Sequence, residues 1–212
     1  MIVERTEHPG WLSNAYLVAD RPGGHGVLID GNGVVDPLLE RIVRDGITIT
    51  HILNTHHHGD HVVDNERYKQ RFGVPLVAHP LTAREVRGVD QTIEDGEELT
   101  SGDLTIRAIF TPGHTTFADL RSSVMDRLMT LPPETRVHPG HTTPTTIGDE
   151  WEQNPFIRVW RGLDPEGDEP CQVRGAPARL VLWAPDYDGG HKAWVRFPDS
   201  GDDIVGGSQV TR

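Results

Sequence analysis

Apolar positions in the first half of the chain alternate between two spacings. "NAYLVADRPGGHGVLIDGNG" reads as two short strands, 15–19 and 26–30, joined by a Pro-Gly-Gly turn. In "DPLLERIVRDG" the apolar residues Leu38, Leu39, Ile42 and Val43 recur at helical spacing. Asp36 stands where an N-cap is expected, Pro37 at the first helical position and Gly46 at the end. "ITITHILNT" is rich in β-branched residues and reads as a buried strand. It is followed by a helix over about 61–72, a strand in "VPLVAH", a short helix near 82–87, and a strand "GDLTIRAIF" that runs into "TPGHT".

The second half begins with "TTFADLRSSVMDRLMTL", in which Phe117, Leu120, Val124, Leu128 and Leu131 share one helical face. "TRVHPGHT" reads as a short strand and turn, and "TTIGDEWEQNPFIRVWRG" closes a first domain spanning residues 1–162. "LDPEGDEP" (163–170) is a linker by composition. Residues 171–212, with β-rich runs split by Asp, Gly and Pro, are expected to form a small β unit of SH3-like type. Its core is expected to be Trp183, Tyr187, Trp194 and Phe197. Strands alternating with helices predict an α/β layered fold for the first domain.

Composition narrows the function. The 212 residues carry a formal net charge of −12, so phosphate backbones and anionic bilayers are repelled and nucleic acid is a poor partner. No apolar run is long enough to span a membrane, and "MIVERTEHPGW" lacks an apolar signal-peptide core. The single cysteine, Cys171, leaves no internal disulfide and has no visible base partner. These features together predict a cytoplasmic protein.

The densest chemistry lies in "THHHGDH", where four histidines and an aspartate fall within seven residues. Ligands in open α/β sheets collect at the carboxyl ends of strands, and both THHHGDH and TPGHT follow predicted strands. His56 and His58, spaced i, i+2, can converge on one ion, while Asp60 and His61 face a second point. His114 in the Pro-Gly turn and His141 in "HPGH" would complete the shells. Six such residues divide into two sets of three, the number of protein ligands typical of catalytic zinc. His57, His79 and His138 read as packing, second-layer or solvent-facing residues.

These motifs resemble the metallo-β-lactamase superfamily. "THHHGDH" matches its HxHxDH motif, "TPGHT" its third-histidine turn, and "RVHPGHTTPTTIGDE" the last-histidine segment of glyoxalase II-like members. The resemblance covers about residues 10–160. It implies an αββα sandwich and one metal at His56, His58 and His114. It implies a second metal at Asp60, His61 and His141, with Asp60 also placed to receive a proton from attacking water. The metal it implies is zinc, one or two ions, with iron or manganese as alternatives.

One departure stands out. The family's bridging aspartate, in a "GDTLF"-like strand end between the third and last histidines, has no counterpart. His114 and His141 are separated by a single predicted helix. A block that includes strands of the second half-sheet is therefore read as absent, with the junction near Thr115 to Phe117. Asp119 could reach the vacated position, but "TFAD" also has the form of a capping box.

The leading expectation is a metal-dependent hydrolase of a small acyl thioester or ester, without the helical C-terminal substrate domain of glyoxalase II proper. Two alternatives accompany it: a catalytically impaired metal-binding or partner-binding remnant, and a single-iron persulfide dioxygenase-like enzyme. The sheet edge left by the missing block would favour self-association into a homo-oligomer.

Overall fold

The computed structural model describes residues 1–113 and 116–212. Six strands form the main sheet in the order β1 (Ile2–Glu7), β2 (Asn14–Ala19), β3 (His25–Ile29), β4 (Thr48–Asn54), β5 (Leu76–Ala78) and β6 (Gln91–Thr92). β1, β2 and β3 pair antiparallel, whereas β3 to β6 run parallel. Parallel neighbours need crossovers, and helices supply them: α1 (Asp36–Asp45), α2 (Gly59–Val62), α3 (Asn65–Phe72) and α4 (Pro80–Glu85).

Leu38 and Ile42 of α1 and Tyr68 of α3 share one buried cluster with Leu17, Leu28 and Ile52 of the sheet. Strand alternation explains which β2 residues join it: Ala15, Leu17 and Ala19 face this core. Asn14, Tyr16 and Val18 therefore point to the opposite face.

Local chemistry corrects two expectations about these helices. The N-cap of α1 is Val35, which makes no side-chain cap, and Asp36 lies in the first turn instead. There it suits the helix dipole and pairs with Arg67. Gly46 ends the helix in the left-handed conformation at φ 64°, as expected. The helix expected over 61–72 breaks at Val63 and Asp64. The buried Asp64 carboxylate accepts from Gly33 N at 2.7 Å, and Gly31 N donates to His61 O at 2.7 Å, tying the break to the end of β3.

A second β layer begins with the hairpin β7 (Glu98–Ser101) and β8 (Leu104–Arg107), stitched to β4 by Thr50 Oγ1 donating to Ser101 Oγ at 2.7 Å. The mixed α/β layers are those of an αββα sandwich, followed by a C-terminal β-rich unit.

The chain forms two compact units, residues 1–110 with 139–142, and residues 111–138 with 143–212. In the second, α5 (Phe117–Ser122) continues as a π-helical stretch, Ser123–Leu128. A short ladder pairs β9 (Arg136–Val137) with β10 (Thr145–Thr146), and α6 (Ile147–Gln153) and α7 (Pro155–Trp160) follow. Five strands complete the unit: β11 (Glu169–Val173), β12 (Ala176–Pro185), β13 (His191–Phe197), β14 (Gly201–Gly206) and β15 (Val210–Thr211).

Their order, β14-β13-β12-β11-β15, returns the last strand to the side of the first, after a 3-10 turn at Gly207–Gln209. Both faces of this sheet are covered. Leu180, Ala193 and Val195 lie in one cluster with Trp183 and Phe197. Val181 and Trp194 lie in another with Phe117, Phe156 and Trp160. The aromatic group expected as a single core is thus split across two faces by strand alternation, and Tyr187 is 45% exposed in a turn.

Candidate metal centre

Adjacent parallel strands β3 and β4 end side by side, and a buried aspartate joins them. Asp30 sits at the end of β3 in the left-handed region, φ 57°, which Asp and Asn enter more readily than other residues with a side chain. Its carboxylate accepts from Thr55 N at 2.8 Å and Thr55 Oγ1 at 2.7 Å, closing the start of the THHHGDH loop. The same carboxylate lies 3.0 Å from His61 Nδ1. An ionised carboxylate offers only lone pairs, so Nδ1 carries the proton and Nε2 presents its lone pair away from Asp30. His61 is fully buried, and the ring orientation is fixed by this pairing.

His61 Nε2 faces two further ligand atoms. His141 Nε2 is 3.2 Å away and Asp60 Oδ2 is 3.6 Å away, while His141 Nε2 and Asp60 Oδ2 are 3.7 Å apart. A tetrahedral ion with bonds of about 2.0–2.1 Å spaces its ligands about 3.3–3.4 Å apart. The triangle has that size, and its two imidazoles and one carboxylate are the donor chemistry of zinc and iron sites. The residues fit a metal.

Beside this triangle, His56 is half-buried with Nδ1 2.9 Å from Thr55 Oγ1. Its ring lies 4.2 Å from that of His61 and 4.6 Å from that of His58, centroid to centroid. Among the described residues, Asp30, His56 and His61 also offer ligand atoms within 4.8 Å of one another. Asp30 is already engaged by Thr55 and His61, which makes it a brace. His58 is exposed and precedes α2 with extended backbone. The structure thus gathers Asp60, His61 and His141 and sets His56 and His58 alongside. His114 lies outside the described residues.

Asp119 caps α5: Thr116 Oγ1 accepts from Asp119 N at 3.1 Å and donates to Asp119 Oδ2 at 2.7 Å. Asp149 is held in the same way by Thr146 at the start of α6. The capping reading of "TFAD" holds because that geometry satisfies the first-turn donors. Asp119→Ala is expected to leave metal content unchanged and to cost about 1 kcal/mol of stability. Elemental analysis beside urea unfolding checks this, and loss of an ion would reassign Asp119 as a ligand.

One other histidine has a structural role. His79 accepts from Leu81 N at 3.3 Å to cap α4 and stacks on Phe110 at 4.4 Å. His57 is exposed beside His58, and His138 falls in the second unit. Burial pushes the Cys171 thiol up, which keeps it protonated and inert.

Sequence reasoning passed over Asp30. Its signal was "LIDGNG", an acidic residue ending an otherwise apolar strand immediately before Gly-Asn-Gly.

The ends of the parallel strands β3 and β4 thus gather histidine and aspartate groups that could hold a metal ion. Residues 8–121, just over half the chain, match the Metallo-beta-lactamase superfamily model, and the chain belongs to that superfamily. Among named relatives, the hydroxyacylglutathione hydrolase of Rhizobium etli is 30% identical over 210 residues, covering 68% of this chain and 81% of that protein. Among solved structures, ETHE1 from Myxococcus xanthus is 25% identical with a TM-score of 0.66, covering 77% of this chain and 92% of that one. TTHA1623 in a di-iron-bound form is 27% identical with a TM-score of 0.56, covering 73% of this chain and 100% of that one. Among the described residues, no helix is long and apolar enough to cross a membrane.

Proposed function

We propose that this superfamily hydrolase acts on a small-molecule thioester or related acyl bond. In this reading Asp60, His61 and His141 hold one ion, and His56 and His58, with His114, hold the other. The observation that carries the reading is the Asp60–His61–His141 triangle, braced from behind by Asp30. The relatives named hydroxyacylglutathione hydrolase support the substrate class. Zinc is the metal we assign, with iron or manganese able to use the same donors.

When bound, the ions supply Lewis acidity toward the acyl carbonyl and lower the pKa of water. The chain's own groups divide the remaining work. Asp30 holds the His61 tautomer, so the Nε2 lone pair is presented without a proton to displace. The Asp60 carboxylate, next to both imidazoles, is the base we assign to accept a proton from the attacking water. The net charge of −12 disfavours polyanionic substrates, and we assign the protein to the cytoplasm.

A second reading, a metal-binding chain with little turnover, draws on a different observation. The Rhizobium etli alignment takes in 68% of this 212-residue chain, about 144 residues, so about 66 of its 210 positions face none here. A shortfall of that size is enough for a missing block that carried the bridging aspartate, and the Asp119 carboxylate is engaged at its helix cap.

Elemental analysis of the purified chain, paired with hydrolysis of acyl-glutathione and simpler thioesters, decides between them. Nearly two ions per chain with metal-dependent hydrolysis supports the hydrolase. Bound metal without thioester or ester cleavage supports the remnant. Bound iron with persulfide-dependent oxygen uptake would instead favour the dioxygenase-like enzyme.

A further inference from the structure

We propose that Asn14 and Tyr16 of β2 are positioning residues for His141, so that the N-terminal hairpin sets how tightly the ion at Asp60, His61 and His141 is held. The inference rests on the proposed reading of that triangle as a metal site.

His141 does not come from the strand ends that supply the other groups. It rides on residues 139–142, four residues that belong to the first unit while the chain on both sides belongs to the second. So short a segment contributes little apolar surface of its own. Its backbone carbonyls are held instead. Pro139 O accepts from Tyr16 Oη at 2.6 Å and from Asn14 Nδ2 at 2.8 Å. Gly140 O accepts from Asn14 N at 2.7 Å. Thr142 O accepts from Asn14 Nδ2 at 2.8 Å and Arg5 Nη1 at 2.6 Å, and Arg5 also donates to Asn14 Oδ1 at 3.1 Å. A backbone bridge between Ser13 and His141 completes the attachment.

Three features show that this is a built attachment. Asn14 is fully buried and Tyr16 is 5% exposed, so their polar groups gain nothing from water and depend on these partners. Burial pushes the Tyr16 phenol up to about 12, which keeps its hydroxyl a donor throughout the neutral range. Thr142 holds a left-handed backbone at φ 65°, a conformation that persists only when its surroundings impose it. The segment also passes close to its target, since a Cβ on Gly140 would lie 3.1 Å from His61 Cε1. Releasing the carbonyls would let His141 Nε2 drift from the 3.2 Å position opposite His61 Nε2.

The experiment is a cobalt(II) titration followed by visible absorbance, with zinc competition, on wild type, Tyr16→Phe, Asn14→Ala and His141→Ala. Tyr16→Phe removes one hydroxyl and is expected to weaken the ion lost in His141→Ala roughly tenfold, while leaving other metal binding near wild type and lowering the apo-protein melting temperature by only a few degrees. Asn14→Ala is expected to weaken it further. In the His141→Ala background, Tyr16→Phe should change metal binding no more, which a general loss of stability would not produce. The inference is overturned if wild type binds an ion that His141→Ala removes but Tyr16→Phe leaves its affinity unchanged. It is also overturned if Tyr16→Phe acts equally with and without His141. If His141→Ala removes no ion from wild type, the metal-site reading itself fails, and the positioning role with it.

Discussion

His61→Ala is expected to strip the chain of the ion at Asp60 and His141 and to lower thioester hydrolysis by roughly a thousandfold or more, the rate equivalent of several kcal/mol of lost Lewis-acid stabilisation. Among the described residues His61 belongs to both groups of potential ligands, that with Asp30 and His56 and that with Asp60 and His141. It is also fully buried, with its ring held by Asp30. The substitution leaves Asp30 with Thr55 as its remaining side-chain partner, at a cost of about 1–3 kcal/mol. Elemental analysis, hydrolysis rates and urea unfolding measure the three effects separately. Metal content and rate near wild type would place the chemistry away from this triangle.

Asp30→Asn should weaken metal binding by about 10–100-fold while the fold persists. Asparagine tolerates the left-handed backbone that Asp30 adopts, so the end of β3 is not forced to move. The amide still reaches Thr55, but it lacks the ionised acceptor that draws the proton to His61 Nδ1. Asp30→Ala would be a poorer probe, since it adds backbone strain to the lost bonds. Competition against a chelator reads the affinity. An unchanged value would reduce Asp30 to a stitch between β3 and β4, with no part in orienting His61.

The two substitutions separate holding from orienting. Loss of His61 removes a donor atom, whereas loss of the Asp30 charge leaves every proposed ligand in place and loosens one of them. A graded pair of effects, the first much larger, is the signature of a ligand with a brace behind it.

Much of this site was legible as local pattern. THHHGDH follows a β-branched run, and that order alone sets His56, His58, Asp60 and His61 at the end of β4. Gly46 announced the left-handed end of α1, and Thr116 with Asp119 announced the cap of α5, because each depends on residues a few positions apart. The break between α2 and α3 was not legible. It depends on Asp64 reaching Gly33, thirty-one positions away, and helical periodicity carries no trace of such a partner.

The sequence by itself determined the donor types, the end of β4 that presents His56, His58, Asp60 and His61, and the superfamily to which the chain belongs. Those properties follow from short-range order: backbone period, turn chemistry and motif spacing. Only the tertiary structure decided that Asp30 stands behind His61, and that Asn14 and Tyr16 carry the segment bearing His141, 125 and 123 positions from Pro139. Hydrogen bonds between buried groups obey distance in space. The chain's linear order records their chemistry but not their meeting.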